Sequence, residues 1–196
     1  FRLSDGFFRS RGLFRQEEAY LKSYLNRYLP DDIGVLSVEE VPERFHSRLS
    51  AERKTYCYQI ETGEKQDVFQ RRLSYHLGHS LDTEVMRLAA ERLCGTHDFR
   101  SFCGNRKMKK STVRTLYSVD ICQKPGSSLV TLSFTGNGFL QNMVRILTGT
   151  LIEIGLGERD WRTVDDILRA KDRQAAGFTA PAEGLCLVQV IYEEMK

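Results

Sequence analysis

The sequence predicts an α+β fold in which a mostly antiparallel sheet is flanked by helices. Three observations carry this. Runs at 53–61, 112–121 and 128–136 have the β-branched, aromatic and alternating character of strands. The turn-like KPGS between the last two makes an antiparallel hairpin the simplest connection. Helical apolar periodicity separates the strands, and helices between strands around a central hairpin give a layered sheet.

Along the chain, QEEAYLKSYLNRYL (16–29) sets Leu21, Tyr24, Leu25 and Tyr28 on one helical face, and Pro30 ends it. IGVLSVEEV (33–41) reads as a short β-branched strand. In RKTYCYQIE (53–61) the period of two points Tyr56, Tyr58 and Ile60 the same way. Asp82 is placed to cap a helix through Leu93 with Val85, Leu88, Ala89 and Leu93 inward, and Gly95 to stop it. After the hairpin, GNGFLQNMVRIL (136–147) opens a helix. Its apolar side is Phe139, Leu140, Met143, Val144, Leu147, Leu151 and Ile154; Gln141, Asn142, Arg145, Thr148 and Gly149 form the opposite, solvated side. Periodicity alone leaves Arg145 open between a surface arginine and a functional one. Asp160 caps a further helix to about Ala170, and LCLVQVIYE (185–193) is a closing strand.

A chain of 196 residues, 41% hydrophobic and 28% charged, has an ordinary soluble composition and enough length for a core. The five cysteines include no C-x-x-C pair, which argues against a disulfide framework or zinc cluster and fits the cytoplasm. No apolar run approaches the roughly 18 residues of a membrane span, and FRLSDGFFRSRG has no signal-peptide core. The net charge of +3 hides a cluster: residues 98–114 carry Arg100, Arg106, Lys107, Lys109, Lys110 and Arg114 against Asp98 alone. A second basic stretch, Arg2, Arg9, Arg11 and Arg15, is interleaved with Phe1, Phe7, Phe8 and Phe14. Such patches suit phosphate and equally occur as solvated loops.

Nucleotide-binding glycine loops, the G-x-S-x-G elbow and H-E-x-x-H are all absent, so nucleotide and metal-dependent hydrolysis lose support. His76 and His79 are three apart in a segment without helical pattern, and no metal site is assigned.

Four segments in order, FHSRLSAERKTYCYQI (45–60), GTHDFRSFC (95–103), GNGFLQNMVRILTGTLIEIG (136–155) and AKDRQAAGFTAPAEGLCLVQVIY (170–192), resemble the tRNA pseudouridine synthase A family. The resemblance implies a pseudouridine synthase-like fold and an isomerase that converts uridine to pseudouridine at positions 38, 39 and 40 of the transfer-RNA anticodon stem-loop. It implies a homodimer with no metal or organic cofactor. Residues 1–44 would be the remainder of a first half-domain and 45–196 a second half-domain bearing a basic cleft. Because a stem base is stacked and paired, it must be flipped out at a cost of a few kcal/mol, offset by phosphate contacts and stacking.

The family's active-site tyrosine falls on Tyr56, also a substrate contact, and its active-site arginine on Arg145, where a guanidinium on a rigid helix can pair with a carboxylate. Expected RNA contacts are His46, Arg48, Lys54, Arg106, Lys107, Lys109, Lys110 and Arg114. The family's nucleophilic aspartate lies in a Gly-Arg-Thr-Asp segment that this sequence lacks; Arg162-Thr163-Val164-Asp165 has an extra valine and lies in a helix, so Asp165 is no substitute. The chain therefore resembles the C-terminal portion of the enzyme, expected to be inactive alone. A noncatalytic RNA-binding module on the same fold is the alternative, and a scaffold without RNA is disfavoured by Tyr56 and Arg145.

Overall fold

The run of apolar and tyrosine residues after position 16 forms helix α1, Glu17–Tyr28, whose Tyr24 ring packs against that of Tyr28 one turn on, with centroids 4.9 Å apart and planes at 50°. Residues 17–105 and 107–192 are described in this computed structural model. The chain divides into two compact units, 1–46 with 194–196, and 47–193. In the first unit, Leu21 is buried under α1. The strand expected at 33–41 is absent: these residues carry no ladder, and Leu36 is 87% exposed. β-Branched composition yields a strand only against a neighbouring strand. Here the Asn26 side chain takes both peptide groups of Val35, donating Nδ2–H to Val35 O (2.9 Å) and accepting Val35 N–H (2.7 Å).

The second unit is built on β1 (Ala51–Glu61), β2 (Tyr75–His76), α2 (Thr83–Leu93), β3 (Gly95–Asp98), β4 (Val113–Gln123), β5 (Leu129–Gly136), α3 (Met143–Gly155), α4 (Val164–Ala170) and β6 (Leu185–Tyr192). The six strands form one mixed sheet, ordered β2-β1-β5-β4-β3. β6 also pairs with β1, antiparallel. Among the described residues, only the short β1–β2 pairing is parallel. The β4–β5 hairpin closes through Ser127 N–H to Lys124 O (3.0 Å), with Pro125 followed by Gly126 at φ +75°. Proline then a positive-φ glycine is the chemistry of a type II turn.

One face of the sheet, with Tyr58, Ile60, Leu132 and Phe134, joins α2 and α3 in a single buried cluster that includes Phe99 and Phe102 of a 3₁₀ turn after β3. Asp82 caps α2 as expected, accepting from Glu84 N and Val85 N. Its inward stripe differs: Met86, Ala89, Ala90 and Leu93 are buried, while Leu88 is 41% exposed. The close approach of α3 sets this rotation, since a Cβ on Gly155 would lie 2.6 Å from Met86 Sδ. Asp160 caps a 3₁₀ turn, Trp161–Thr163, which runs into α4. No helix among the described residues is long and apolar enough to cross a membrane.

Two expectations for α3 are corrected. The helix starts at Met143 rather than at 136, because Asn142 sits at φ 59°, ψ 9°, a left-handed conformation that cannot continue a right-handed helix. The side expected to face water is covered in part: Thr148 and Gly149 are buried, as is Thr150 beside them, while Gln141 and Asn142 are exposed and Arg145 is half-buried. Residues 176–181 lie across it so closely that a Cβ on Gly149 would stand 2.0 Å from Phe178 O. This predicts an inverted helix-propensity effect. Gly149→Ala, which stabilises an open helix by roughly 0.5–1 kcal/mol, should here cost about 1–3 kcal/mol in urea unfolding; a stabilised variant would mean that the strap does not pack there.

Candidate active site

Tyr56 lies mid-β1, in register with Phe134 of β5 on one side and Leu187 of β6 on the other. It is half-buried on the face that carries Tyr58 and Ile60 into the core. Its ring meets Phe139 at right angles, centroids 5.0 Å apart and planes at 81°, the edge-to-face geometry favoured by ring quadrupoles. Phe139 is therefore not a helical core residue but part of the connection 137–142 that brings the chain from β5 to α3. Gly136 lets this connection fold tightly, since a Cβ there would sit 2.8 Å from Thr115 O and 3.4 Å from Phe139 Cζ.

Arg145 occupies the first turn of α3. Its Nε–H donates to Ala180 O at 2.6 Å, and Ala180 N–H donates back to Arg145 O at 3.0 Å. Nη1 reaches Asn142 Oδ1 at 3.5 Å, the outer edge of a hydrogen bond, and Nη2 has no partner among the described residues. No carboxylate pairs with this guanidinium among the described residues. The left-handed Asn142 beside it costs local backbone energy. That conformation is braced from outside by Gly104 N–H on Gln141 O (2.8 Å).

The strap 176–184 that holds Arg145 is itself stitched to both neighbours. Gly177 N–H donates to Thr150 Oγ1 (2.9 Å) and Phe178 N–H to Glu153 Oε1 (3.1 Å). Glu153 is fixed by an ion pair with Arg159 at 2.8 Å. On the sheet side, Tyr58 OH donates to Pro181 O at 2.6 Å, and Gln59 N–H donates to Gly184 O at 3.0 Å. Gly184 must lack a side chain, because a Cβ would lie 2.8 Å from the Tyr58 ring. Burial pushes the Tyr58 phenol far above its usual pKa; the charge of Glu183 adds to this and that of Arg145 opposes it. Tyr58 is thus a neutral donor at physiological pH.

The basic residues fall at several places. Lys107, Lys109 and Lys110 are exposed between the 3₁₀ turn and β4, and Arg106 lies outside the described residues, as does the stretch from Arg2 to Arg15. Arg114 is half-buried: its Nη1 donates to Ser111 O (3.0 Å) and Val113 O (2.6 Å), and its side chain lies over Gly138 in the 137–142 connection. Lys54 Nζ donates to Arg48 O at 3.4 Å just before β1, and His46 is an exposed residue of the first unit. His76 Nε2 hydrogen-bonds Gly63 O at 3.0 Å. Asp165 is on α4, 3.2 Å from Arg92 in an ion pair.

Sequence reasoning missed Phe139, Asn142, Tyr58 and the Ala180–Pro181 carbonyls as parts of one assembly. The only local signal was the run AGFTAPAEG (176–184), small residues and a proline without helical or strand period. Removing the phenol tests the strap's anchoring. Tyr58→Phe should cost about 1 kcal/mol in urea unfolding; an unchanged midpoint would show that the Pro181 bond does not hold.

A family model described as tRNA pseudouridine synthase matches residues 89–193. "tRNA pseudouridine synthase A" of Geobacillus sp. is 44% identical over 172 residues, covering 88% of this chain and 68% of that protein. Its namesake from Bacillus licheniformis is 45% identical over 169 residues, 86% of this chain and 68% of that protein. That from Halalkalibacterium halodurans is 48% identical over 161 residues, 82% and 60% respectively. A family model that matches more than half the chain, including Arg145 and the strap, and relatives at this identity over most of the chain place it in the tRNA pseudouridine synthase family.

Proposed function

We propose that this chain carries the tyrosine-and-arginine part of a tRNA pseudouridine synthase that acts on uridines 38, 39 and 40 of the anticodon stem-loop. The observation that supports this best is Arg145: a cation held by a backbone carbonyl through Nε, on the core side of the sheet that also bears Tyr56, with Nη2 unengaged among the described residues. A guanidinium fixed in this way can receive a carboxylate, keep it ionised and orient it. The reaction breaks the bond between uracil and ribose C1′, turns the base, and rejoins it through C5. Tyr56 is proposed to contact the flipped uracil, its ring plane set by Phe139 and its hydroxyl near the proton that leaves C5.

The nucleophilic aspartate of the family is, in this proposal, not supplied by residues 1–196. Residues 1–44 are assigned to the remainder of one half-domain and 45–196 to the other; the assembly is a homodimer in the cytoplasm, without metal or organic cofactor. His46, Arg48, Lys54, Arg106, Lys107, Lys109, Lys110 and Arg114 are the proposed RNA contacts. A noncatalytic RNA-binding module is the second reading, favoured by the lack of a carboxylate partner for Arg145 among the described residues. A Gly-Arg-Thr-Asp codon run upstream of Phe1 in the encoding gene would decide for the enzyme.

Incubated with unmodified transfer RNA, the 196-residue chain should bind it and form no pseudouridine, because nucleophilic catalysis depends directly on the missing carboxylate. Product above background would mean that an aspartate within this sequence serves. In a form that supplies the aspartate, Tyr56→Phe should keep transfer-RNA affinity and lower turnover by about 10²–10⁴ if the hydroxyl moves the proton; equal turnover would assign the ring alone.

A further inference from the structure

Outside the Tyr56 and Arg145 assembly, a concavity of about 180 Å³ opens between the segment that follows the Phe99–Phe102 turn and the chain leaving α4. Its wall includes Arg100, Asn105, Thr112, Lys171, Arg173 and Gln174, and neither Tyr56 nor Arg145 contributes. The volume is below the roughly 300 Å³ at which small-molecule pockets begin, too little for a nucleoside with its base. It suits a tetrahedral oxyanion with a few waters, each taking about 30 Å³.

The wall is preorganised for negative charge. Arg173 is fixed by Gly177 O at 2.9 Å and Thr179 Oγ1 at 3.0 Å, so its cation does not wander. Lys171 is held 3.2 Å from Asp98. Burial opposes ionisation of Asp98, but hydrogen bonds from Thr112, Lys171 and Arg100 N outweigh it and hold the carboxyl below its usual range. Asp172 turns its carboxylate to Gln174 N (3.0 Å). Arg100 is exposed and has no hydrogen-bond or ion-pair partner for its guanidinium among the described residues. The exposed Lys107, Lys109 and Lys110 follow on the same segment.

We propose that this pocket seats one backbone phosphate of the bound transfer RNA, with Arg100 closing on it and Lys171 and Arg173 as a fixed positive floor. The inference rests on the transfer-RNA reading above and adds a contact that positions the strand without reading its bases. The phosphate brings its own charge, and the guanidinium gains the partner it lacks.

The test uses the 196-residue chain, unmodified transfer RNA and inorganic phosphate. Arg100→Ser with Lys171→Asn is compared with a control of equal charge change, Lys65→Ser with Lys124→Ser, both checked for unchanged thermal midpoint; Asn tolerates the left-handed conformation of residue 171. Arg100→Ser alone is the second variant, at a side chain without a protein partner. The slope of log K against log salt should flatten by about 0.7–0.9 in the pocket variants relative to the control, equivalent to one phosphate contact. Inorganic phosphate and transfer RNA should each shift the backbone amide signals of Arg100, Lys171 and Gln174. Phosphate shifts without a change of slope would make the pocket a site for free oxyanions and overturn the proposal. Binding of transfer RNA with unchanged slope and unshifted amides overturns it as well, leaving the functional reading intact, whereas no binding by the unaltered chain overturns both.

Discussion

Arg145 and Ala180 exchange hydrogen bonds in both directions, side chain to carbonyl and amide to helix carbonyl, and the arrangement of the site depends on that pair. It fixes the guanidinium on α3 and at the same time docks the strap 176–184 between α3 and β1. Each bond contributes about 1 kcal/mol net, so neither would suffice against the roughly 2 kcal/mol of rotamer freedom an arginine loses on being fixed. The bonds from Gly177 to Thr150, Phe178 to Glu153 and Tyr58 to Pro181 supply the remainder cooperatively. The ordering cost is then met on folding and not at the moment a carboxylate or substrate arrives, which is the physical content of preorganisation.

That docking explains why residues with small or absent side chains recur around it. Gly149 and Gly177 bring the strap onto the helix backbone, and Gly184 brings it onto the Tyr58 ring. With the strap in place, Thr150 and Glu153 of α3 have partners that are not water, while the buried Thr148 Oγ1 has none among the described residues. Thr150 accepts Gly177 N–H while donating to Ile146 O (2.9 Å), and Glu153 joins Phe178 N–H to Arg159. On the other side of the site, the left-handed Asn142 turns the chain sharply between Phe139 and α3, so that one short connection serves both the tyrosine ring and the arginine.

Local signals were legible in the sequence where local chemistry decides structure. The Pro125–Gly126 turn, the Asp82 cap and the alternation of Tyr56, Tyr58 and Ile60 each followed from a few adjacent residues. Periodicity failed where a distant segment decides. It identified the residues of α3 that could face water but carried no sign that 176–181 covers them, because the strap has no period of its own. It extended α3 back through Asn142, since a single left-handed residue leaves the 3.6-residue pattern intact. The 33–41 segment had strand propensity without a strand partner, and one asparagine side chain satisfied the peptide groups of Val35 instead. Tyr56 and Arg145 came to attention through the resemblance of whole segments; neither stands out on its own strand or helix.

Hydrogen exchange of the Arg145 Nε–H, followed by ¹H–¹⁵N spectroscopy on the 196-residue chain, tests the held guanidinium most directly. A proton locked onto Ala180 O should exchange far more slowly than that of Arg72, an exposed arginine on the surface. Exchange of Arg145 as fast as that of Arg72 would contradict the account, because it would leave the strap undocked and the cation as mobile as any on the surface.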